Sequence, residues 1–149
     1  MRVHFRPFVP RDALDIELQP SQLIEAGLNA GAMSIEAAHD LILNGVAWTA
    51  EQAGSGRILC CAGFYETFAG LQATAWARLC ANLGASAHLA ITRFAQARIA
   101  ESPLRRIECM VADDGRAIRW AEAVGLVREA TLECWGAASE TVHVHRRII

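Results

Sequence analysis

Apolar and polar positions alternate along several short stretches of the chain, which glycine, proline or acidic residues interrupt. A period of two is typical of β-strands, and the interrupting residues are typical of turns. The glycine-rich interval 53–56 lies between two such stretches, which indicates a hairpin loop and not a phosphate-binding loop. Three consecutive stretches in the first half form a predicted antiparallel meander. The predicted strands are 3–9, 47–52, 57–67, 72–79, 107–111, 126–135 and 141–148.

Apolar residues at helical spacing lie between these strands. Asp12, Ser34 and either Asp113 or Asp114 stand where a side chain can accept hydrogen bonds from a first helical turn. The Ser102-Pro103 pair stands where a helix ends, because proline disfavours a helical residue before it. The predicted helical intervals are 12–18, 20–27, 34–45, 86–101 and 113–125.

The stretch 105–126, RRIECMVADDGRAIRWAEAVGL, combines these signals into one unit of strand, helix and strand. Taken with the meander, it predicts an α/β fold: a twisted mixed sheet of six to seven strands with helices on both faces. The length of 149 residues and a hydrophobic fraction of 53% suit one domain with a full core. We therefore expect a single domain over residues 1–149.

This unit resembles the C-terminal part of the GNAT acetyltransferase superfamily, where the pattern is roughly N-x-x-A-I-x-L-Y-E-K-L-G-F. The resemblance implies a GNAT-like acyl-CoA N-acyltransferase fold. The residues that match in register are Asp114, Ala117, Ile118, Trp120, Glu122, Val124, Gly125 and Leu126.

The resemblance implies that acetyl coenzyme A binds between the third meander strand and the helix after it. Family members carry a Q/R-x-x-G-x-G/A loop there, whose backbone N–H groups hold the pyrophosphate at the helix N-terminus. Gly84 matches this loop and Ser86 takes its second small position, whereas Ala81 stands where a basic or amide residue is usual. The expected cofactor-binding residues are Gly84, Ala85, Ser86 and, from the C-terminal unit, Asp114.

Transfer of an acetyl group to an amine calls for a general base, and Glu66 and Glu108 are the candidate catalytic residues. A solvated or paired carboxylate is the alternative interpretation of each. In family enzymes a tyrosine often protonates the leaving thiolate, but the matching position here is Ala121. The single tyrosine, Tyr65, lies in the meander and is interpreted as a packing residue with a polar tip.

Histidine and cysteine positions do not form a metal-binding pattern. His143 and His145 lie on one face of the last strand, and with no third ligand indicated we expect a solvent-facing pair. The five cysteines are odd in number and lack paired zinc spacing. We expect small buried side chains in a reducing compartment, no disulfide framework and no metal.

Charge and hydropathy exclude other classes. A net charge of −2, from 14 basic and 16 acidic residues, makes a nucleic-acid partner unlikely. No segment approaches the ~20 apolar residues of a membrane span, and the N-terminus lacks the apolar core of a signal peptide. We therefore expect a protein that is neither secreted nor membrane-spanning.

Three sequence stretches are similar to small GNAT-fold proteins of tailed phages, some of them internal virion or virion-associated proteins. They are IELQPSQLIEAGL, WARLC and DDGRAIRWAEAVGL. This resemblance implies a location in the phage virion or the host cytoplasm, and a protein partner such as another virion protein. Ala81 and Ala121 replace the loop residue and the tyrosine that assist cofactor binding and catalysis in the family pattern. The resemblance therefore favours a virion-associated or partner-binding component with weak or absent catalysis and coenzyme binding.

Two other functions stay open at this point. One is an active acetyl-CoA-dependent N-acetyltransferase acting on a protein or a small amine, since backbone amides bind pyrophosphate without a side-chain cation. The other is a nucleic-acid or packaging factor, which the balanced charge disfavours.

Overall fold

The structure, a computed structural model, describes residues 1–22 and 33–149, which form one seven-stranded sheet with helices packed against it. The strands are β1 (Val3–Pro7), β2 (Gly45–Gln52), β3 (Ile58–Phe68), β4 (Gln72–Leu79), β5 (Arg106–Ala112), β6 (Val127–Trp135) and β7 (Glu140–Ile148). The helices are α1 (Asp12–Asp15), α2 (Ile35–Leu43), α3 (Ala85–Glu101) and α4 (Gly115–Ala123), with a 3-10 turn over Pro20–Gln22.

The strand order is β1-β2-β3-β4-β5-β7-β6, and neighbouring strands are antiparallel except β4 and β5. This confirms the predicted mixed α/β sheet and its meander. The parallel pair is short, since residues 72–74 of β4 pair with 106–108 of β5 and the pairing then stops. The sheet therefore opens between the C-terminal halves of these two strands.

Helices cover both faces of the sheet, as predicted. On the front face, which we define as the α1 and α2 side, the Tyr65 hydroxyl donates to Asp40 Oδ2 of α2 at 3.2 Å. Tyr65 is half-buried, so its predicted role as a packing residue with a polar tip is confirmed. On the back face, the ring of Trp48 packs edge-on against Phe94 of α3, with centroids 5.7 Å apart.

Two predicted helix starts are confirmed by their capping bonds. Ser34 Oγ accepts from the backbone N–H of Ala37 at 3.1 Å, and Asp114 Oδ2 accepts from that of Ala117 at 3.0 Å. Such bonds satisfy N–H groups that have no partner inside the helix. Most of the predicted helix 20–27 lies outside the described residues.

The prediction for Asp12 was wrong in part. α1 ends at Asp15 and has no side-chain cap. Asp12 is 4% exposed and instead accepts two hydrogen bonds from Arg6, at 2.7 and 2.9 Å, and one from Thr49 at 2.6 Å. Burial alone raises a carboxyl pKa, but these bonds from Arg6 and Thr49 outweigh it and lower the pKa of Asp12.

The prediction of a solvent-facing histidine pair was also wrong. His143 and His145 are 5% and 0% exposed. Alternation along the strand suggested a solvent-facing side, but β7 lies between β5 and β6, and α4 packs over that part of the sheet. Alternation in a strand predicts a wet face only where nothing covers it.

All five cysteines are free, and they do not all have the predicted burial. Cys60, Cys61 and Cys80 are buried, Cys109 is intermediate and Cys134 is exposed at the end of β6. Burial raises the pKa of the Cys109 thiol to about 12, so this thiol is protonated near neutral pH. Within the described residues, no helix combines the length and apolar character needed to cross a membrane.

Candidate functional site

A cavity of about 610 Å³ lies where β4 and β5 separate. Its walls include Trp76 and Met110 on the front face of the sheet and Ala75 and Cys109 on the back face. Residues of α3 and α4 complete the wall behind the sheet. Among the residues that the structure describes, no side chain fills the gap between the strands, which is open space that reaches both faces.

The C-terminal end of the β4 edge in this gap has hydrogen-bond partners other than β5. Gln19 N donates to Leu79 O at 3.0 Å, Gln22 Nε2 donates to Ala77 O at 3.1 Å, and Gln22 Oε1 accepts from Leu79 N. Strand backbone groups that lose a neighbouring strand need other partners. The segment after α1 provides them, so the two strands separate without leaving these groups unpaired.

The first turn of α3 lies beside this cavity. Leu83 and His88, on either side of that turn, line the cavity, whereas Gly84, Ala85 and Ser86 do not. The helix begins after Gly84, and no side chain caps it. Its first N–H groups therefore lack the capping acceptor that α2 and α4 have. Together with the helix dipole, these N–H groups favour the binding of an anion.

Gly84 is not explained by the packing of the described residues. Its φ of −72° and ψ of 157° suit any residue. A methyl group added there would meet only Met1 Cε, at 4.0 Å, whereas one added at Gly63 would lie 2.5 Å from Val46 O. The missing side chain at Gly84 leaves open the space in front of the α3 amides, which fits close approach by a phosphate group.

A cation lies near the loop that leads into α3, and no sequence pattern indicated it. Arg57 Nη2 donates to Ala81 O at 2.8 Å. Ala81 stands where the family pattern has a basic or amide residue. Arg57 comes from the hairpin between β2 and β3, so only folding brings it to this loop. Hairpin sequence alone does not encode such a contact.

Ala121 lies on the wall of the cavity and is 5% exposed. Next to it, Trp120 Nε1 donates to Thr92 Oγ1 at 2.9 Å and joins α4 to α3. The position that matches the family tyrosine therefore faces the open space between the strands. Among the described residues, the single tyrosine, Tyr65, is instead held on the front face by α2.

The two predicted catalytic glutamates are not together, and neither lines the cavity. Glu66 accepts from the N–H of Gly70 at 2.8 Å in the turn after β3. Glu108 accepts from Arg106 at 2.6 Å, below the point where the strands separate. These contacts agree with the alternative interpretation of paired carboxylates, and a catalytic role for either stays a prediction.

Asp114 lines the cavity, but its carboxylate caps α4. Its neighbour Asp113 accepts a hydrogen bond through Oδ1 from Nε2 of the buried His143, at 2.8 Å. Contact of Asp114 with a cofactor stays a prediction. In the described part of the chain, no three histidine, cysteine or acidic side chains converge on one point.

Two cavity residues were missed entirely by sequence reasoning. Trp76 and Glu140 line the cavity, and the buried atoms Trp76 Nε1 and Glu140 Oε1 have no hydrogen-bond partner among the described residues. Glu140 follows a turn and Trp76 sits in an apolar strand, so neither stands in a recognisable motif.

No protein-family profile and no curated protein matches the sequence. Solved structures do match, over nearly the whole chain. A spermidine N-acetyltransferase mutant from Vibrio cholerae is 16% identical with a TM-score of 0.71, covering 98% of this chain and 93% of its own. The chain has the GNAT acyltransferase fold.

Two further structures agree. A GNAT-family acetyltransferase from Streptococcus pneumoniae is 16% identical, with a TM-score of 0.69 and 99% of both chains covered. The ribosomal-protein-S5-alanine acetyltransferase from Vibrio fischeri is 12% identical, with a TM-score of 0.69, covering 99% of this chain and 93% of that one. These are bacterial acetyltransferases, and they lend no support to a phage origin, a virion location or loss of catalysis.

Proposed function

We propose that the protein is an acyl-coenzyme-A-dependent N-acyltransferase. The observation that carries this proposal is the open cavity between β4 and β5, beside an α3 whose first turn has no capping side chain. The acetyltransferase neighbours support it over a non-catalytic role. Ala81 and Ala121 replace two residues that assist catalysis in family enzymes, which argues against an efficient enzyme. The cavity in which those family residues would act is nevertheless present.

The residues present fit acetyl coenzyme A. The first-turn amides of α3 would hold its pyrophosphate, Gly84 would allow close approach, and Arg57 would add a positive charge. When bound, the coenzyme would supply an acyl thioester, which an amine nitrogen converts to an amide. With Ala121 in the tyrosine position, no side chain there can donate a proton, so we assign protonation of the leaving group to water.

Isothermal titration calorimetry with acetyl coenzyme A tests the proposal through Gly84→Asp. Aspartate is a good N-cap, so the variant keeps its thermal stability while its carboxylate takes the α3 amides and repels phosphate. We expect the wild type to bind with micromolar affinity and the variant to bind at least about 10-fold more weakly. A loss of this size corresponds to one or more hydrogen bonds to a charged group.

Gly84→Ala is the matched control, because it adds only a methyl group in open space and leaves the amides uncapped. It should lose less affinity than Gly84→Asp, because a methyl group hinders the approach of phosphate only in part and adds no charge. No heat of binding by the wild type, together with no acetyl transfer to a panel of amines, would contradict the proposal and return a non-catalytic, partner-binding role to first place.

A further inference from the structure

Two residues that line the cavity carry a buried polar atom with no partner among the described residues, and both lie on the face of the sheet opposite α3. Thr74 pairs with β5 and Ala112 pairs with Val142 of β7. Trp76 lies two residues beyond Thr74, and Glu140 lies two residues before Val142. Residues two apart in a strand share a face, so Trp76 and Glu140 both point to the front. They lie on β4 and β7 respectively, on either side of the gap.

Neither atom is satisfied within the described part of the chain. Trp76 is 7% exposed, and its indole N–H has no acceptor; Glu140 Oε1 is buried and has no donor. Buried polar atoms normally have a partner, because leaving one unpaired costs about 1–3 kcal/mol. A donor and an acceptor that are both unpaired and line one cavity indicate that a ligand or ordered water completes them.

The charge of the cavity narrows the choice of ligand. Among its described lining residues, the charged ones are Asp114, Glu140, Arg98 and Arg116. Asp114 caps α4, Arg98 pairs with Glu101, and Arg116 is exposed in the first turn of α4. Most of the other side chains on the lining are apolar or aromatic. One uncommitted carboxylate in apolar surroundings suits a single ammonium group joined to an apolar body, and it suits a polyamine less well.

We propose that Glu140 binds the ammonium group of the acceptor and takes its proton, and that Trp76 positions the acceptor beside it. The acceptor is then a primary monoamine with an apolar body. In this step one N–H proton passes to Glu140 Oε1, which leaves a neutral amine and a neutral carboxyl group. The electron pair left on nitrogen becomes the nucleophile. This inference rests on the proposed function and names its acceptor side.

Binding of phenethylamine to the protein without coenzyme tests the inference separately from the proposed function. We expect saturable binding that shifts the indole N–H resonance of Trp76, assigned with Trp76→Phe. Glu140→Gln keeps the size of the side chain and removes its charge, and it should lower the affinity for phenethylamine about 10- to 100-fold. Its affinity for 2-phenylethanol, the neutral analogue, should change by no more than about twofold, because no ion pair is lost.

Glu133→Gln is the matched control, since Glu133 is exposed on β6 and lies outside the cavity. Unchanged phenethylamine affinity in Glu140→Gln, or no saturable binding by the wild type, would overturn the inference. Tighter binding of spermidine than of phenethylamine would overturn the assignment to a monoamine. A protein that binds phenethylamine through Glu140 but never binds acetyl coenzyme A would retain the site and refute only the proposed function.

Discussion

At the scale of single residues, Ala121 is the clearest difference from the family pattern, and its surroundings make it testable. It lines the cavity and is 5% exposed, so an added ring would extend from α4 toward the cavity. We expect Ala121→Tyr to raise the rate of acetyl transfer at least about 10-fold, since a positioned general acid contributes 10²–10⁴-fold. Steady-state kinetics with one amine under saturating acetyl coenzyme A would measure the change.

Ala121→Phe separates proton donation from packing, because it adds the same ring without the hydroxyl. If Phe raises the rate as much as Tyr, the effect is one of packing or substrate fit. A pH–rate profile adds a second check, since only the tyrosine variant gains a group that must be protonated.

A catalytic role for Glu66 and Glu108 stays a prediction. Both were chosen as candidate general bases, and the structure shows them in contact with Gly70 and Arg106, outside the cavity. Glu140 reaches the cavity because β7 inserts between β5 and β6. Chain order does not reveal that insertion, so the sequence could not distinguish Glu140 from carboxylates that lie outside the cavity.

At the scale of elements, the sequence predicted most of the fold because local signals and tertiary packing agree. β4 was predicted at its observed bounds, and Ser34 and Asp114 cap helices as their positions indicated. The failures lie where tertiary contacts override local pattern: Asp12 is drawn away from its helix by Arg6. The same limit explains the missed contact of Arg57 with the loop before α3.

The long helix α3 is held at its C-terminal end by Arg147 of β7. Its guanidinium donates to Leu104 O at 2.8 Å, Ile99 O at 2.7 Å and Ser102 O at 3.1 Å. A cation at a helix C-terminus also interacts favourably with the helix dipole. We expect Arg147→Met to lower the free energy of unfolding by about 2–3 kcal/mol, the range for hydrogen bonds to a charged group.

Urea denaturation monitored by tryptophan fluorescence would measure this loss. Arg93→Met is the control, because Arg93 is exposed on the same helix, and surface changes there should stay within about 0.5 kcal/mol. Equal effects of the two substitutions would show that Arg147 does not anchor the helix.

At the scale of the whole molecule, two buried titratable groups predict that acid destabilises the fold in two separate pH ranges. Burial lowers the pKa of His145 below its ordinary value of 6.5, and its ring nitrogens have no partner among the described residues. The unfolded chain therefore binds a proton first as the pH falls below about 6.5, which removes stability. Asp12 acts at lower pH, because its own pKa lies below the ordinary value of 3.8.

Both groups make the fold less stable as the pH falls. A pKa that is lowered in the folded state contributes stability that is present above the ordinary pKa and lost below it. Thermal unfolding from neutral to strongly acidic pH should show one loss of melting temperature below about pH 6.5 and a second below about pH 4. His145→Phe should remove the first loss, and it should not destabilise the protein strongly at neutral pH, because it replaces two unpaired buried nitrogens with apolar atoms.

Asp12→Asn should flatten the second loss, with a cost of about 1.5–3 kcal/mol at neutral pH from the weakened bonds to Arg6 and Thr49. The two substitutions act in different regions of the fold, since Asp12 begins α1 and His145 lies in β7, so their effects should add in the double variant. A single acid transition that neither substitution changes would mean that the buried histidine and the Arg6 network do not control the acid sensitivity of this fold.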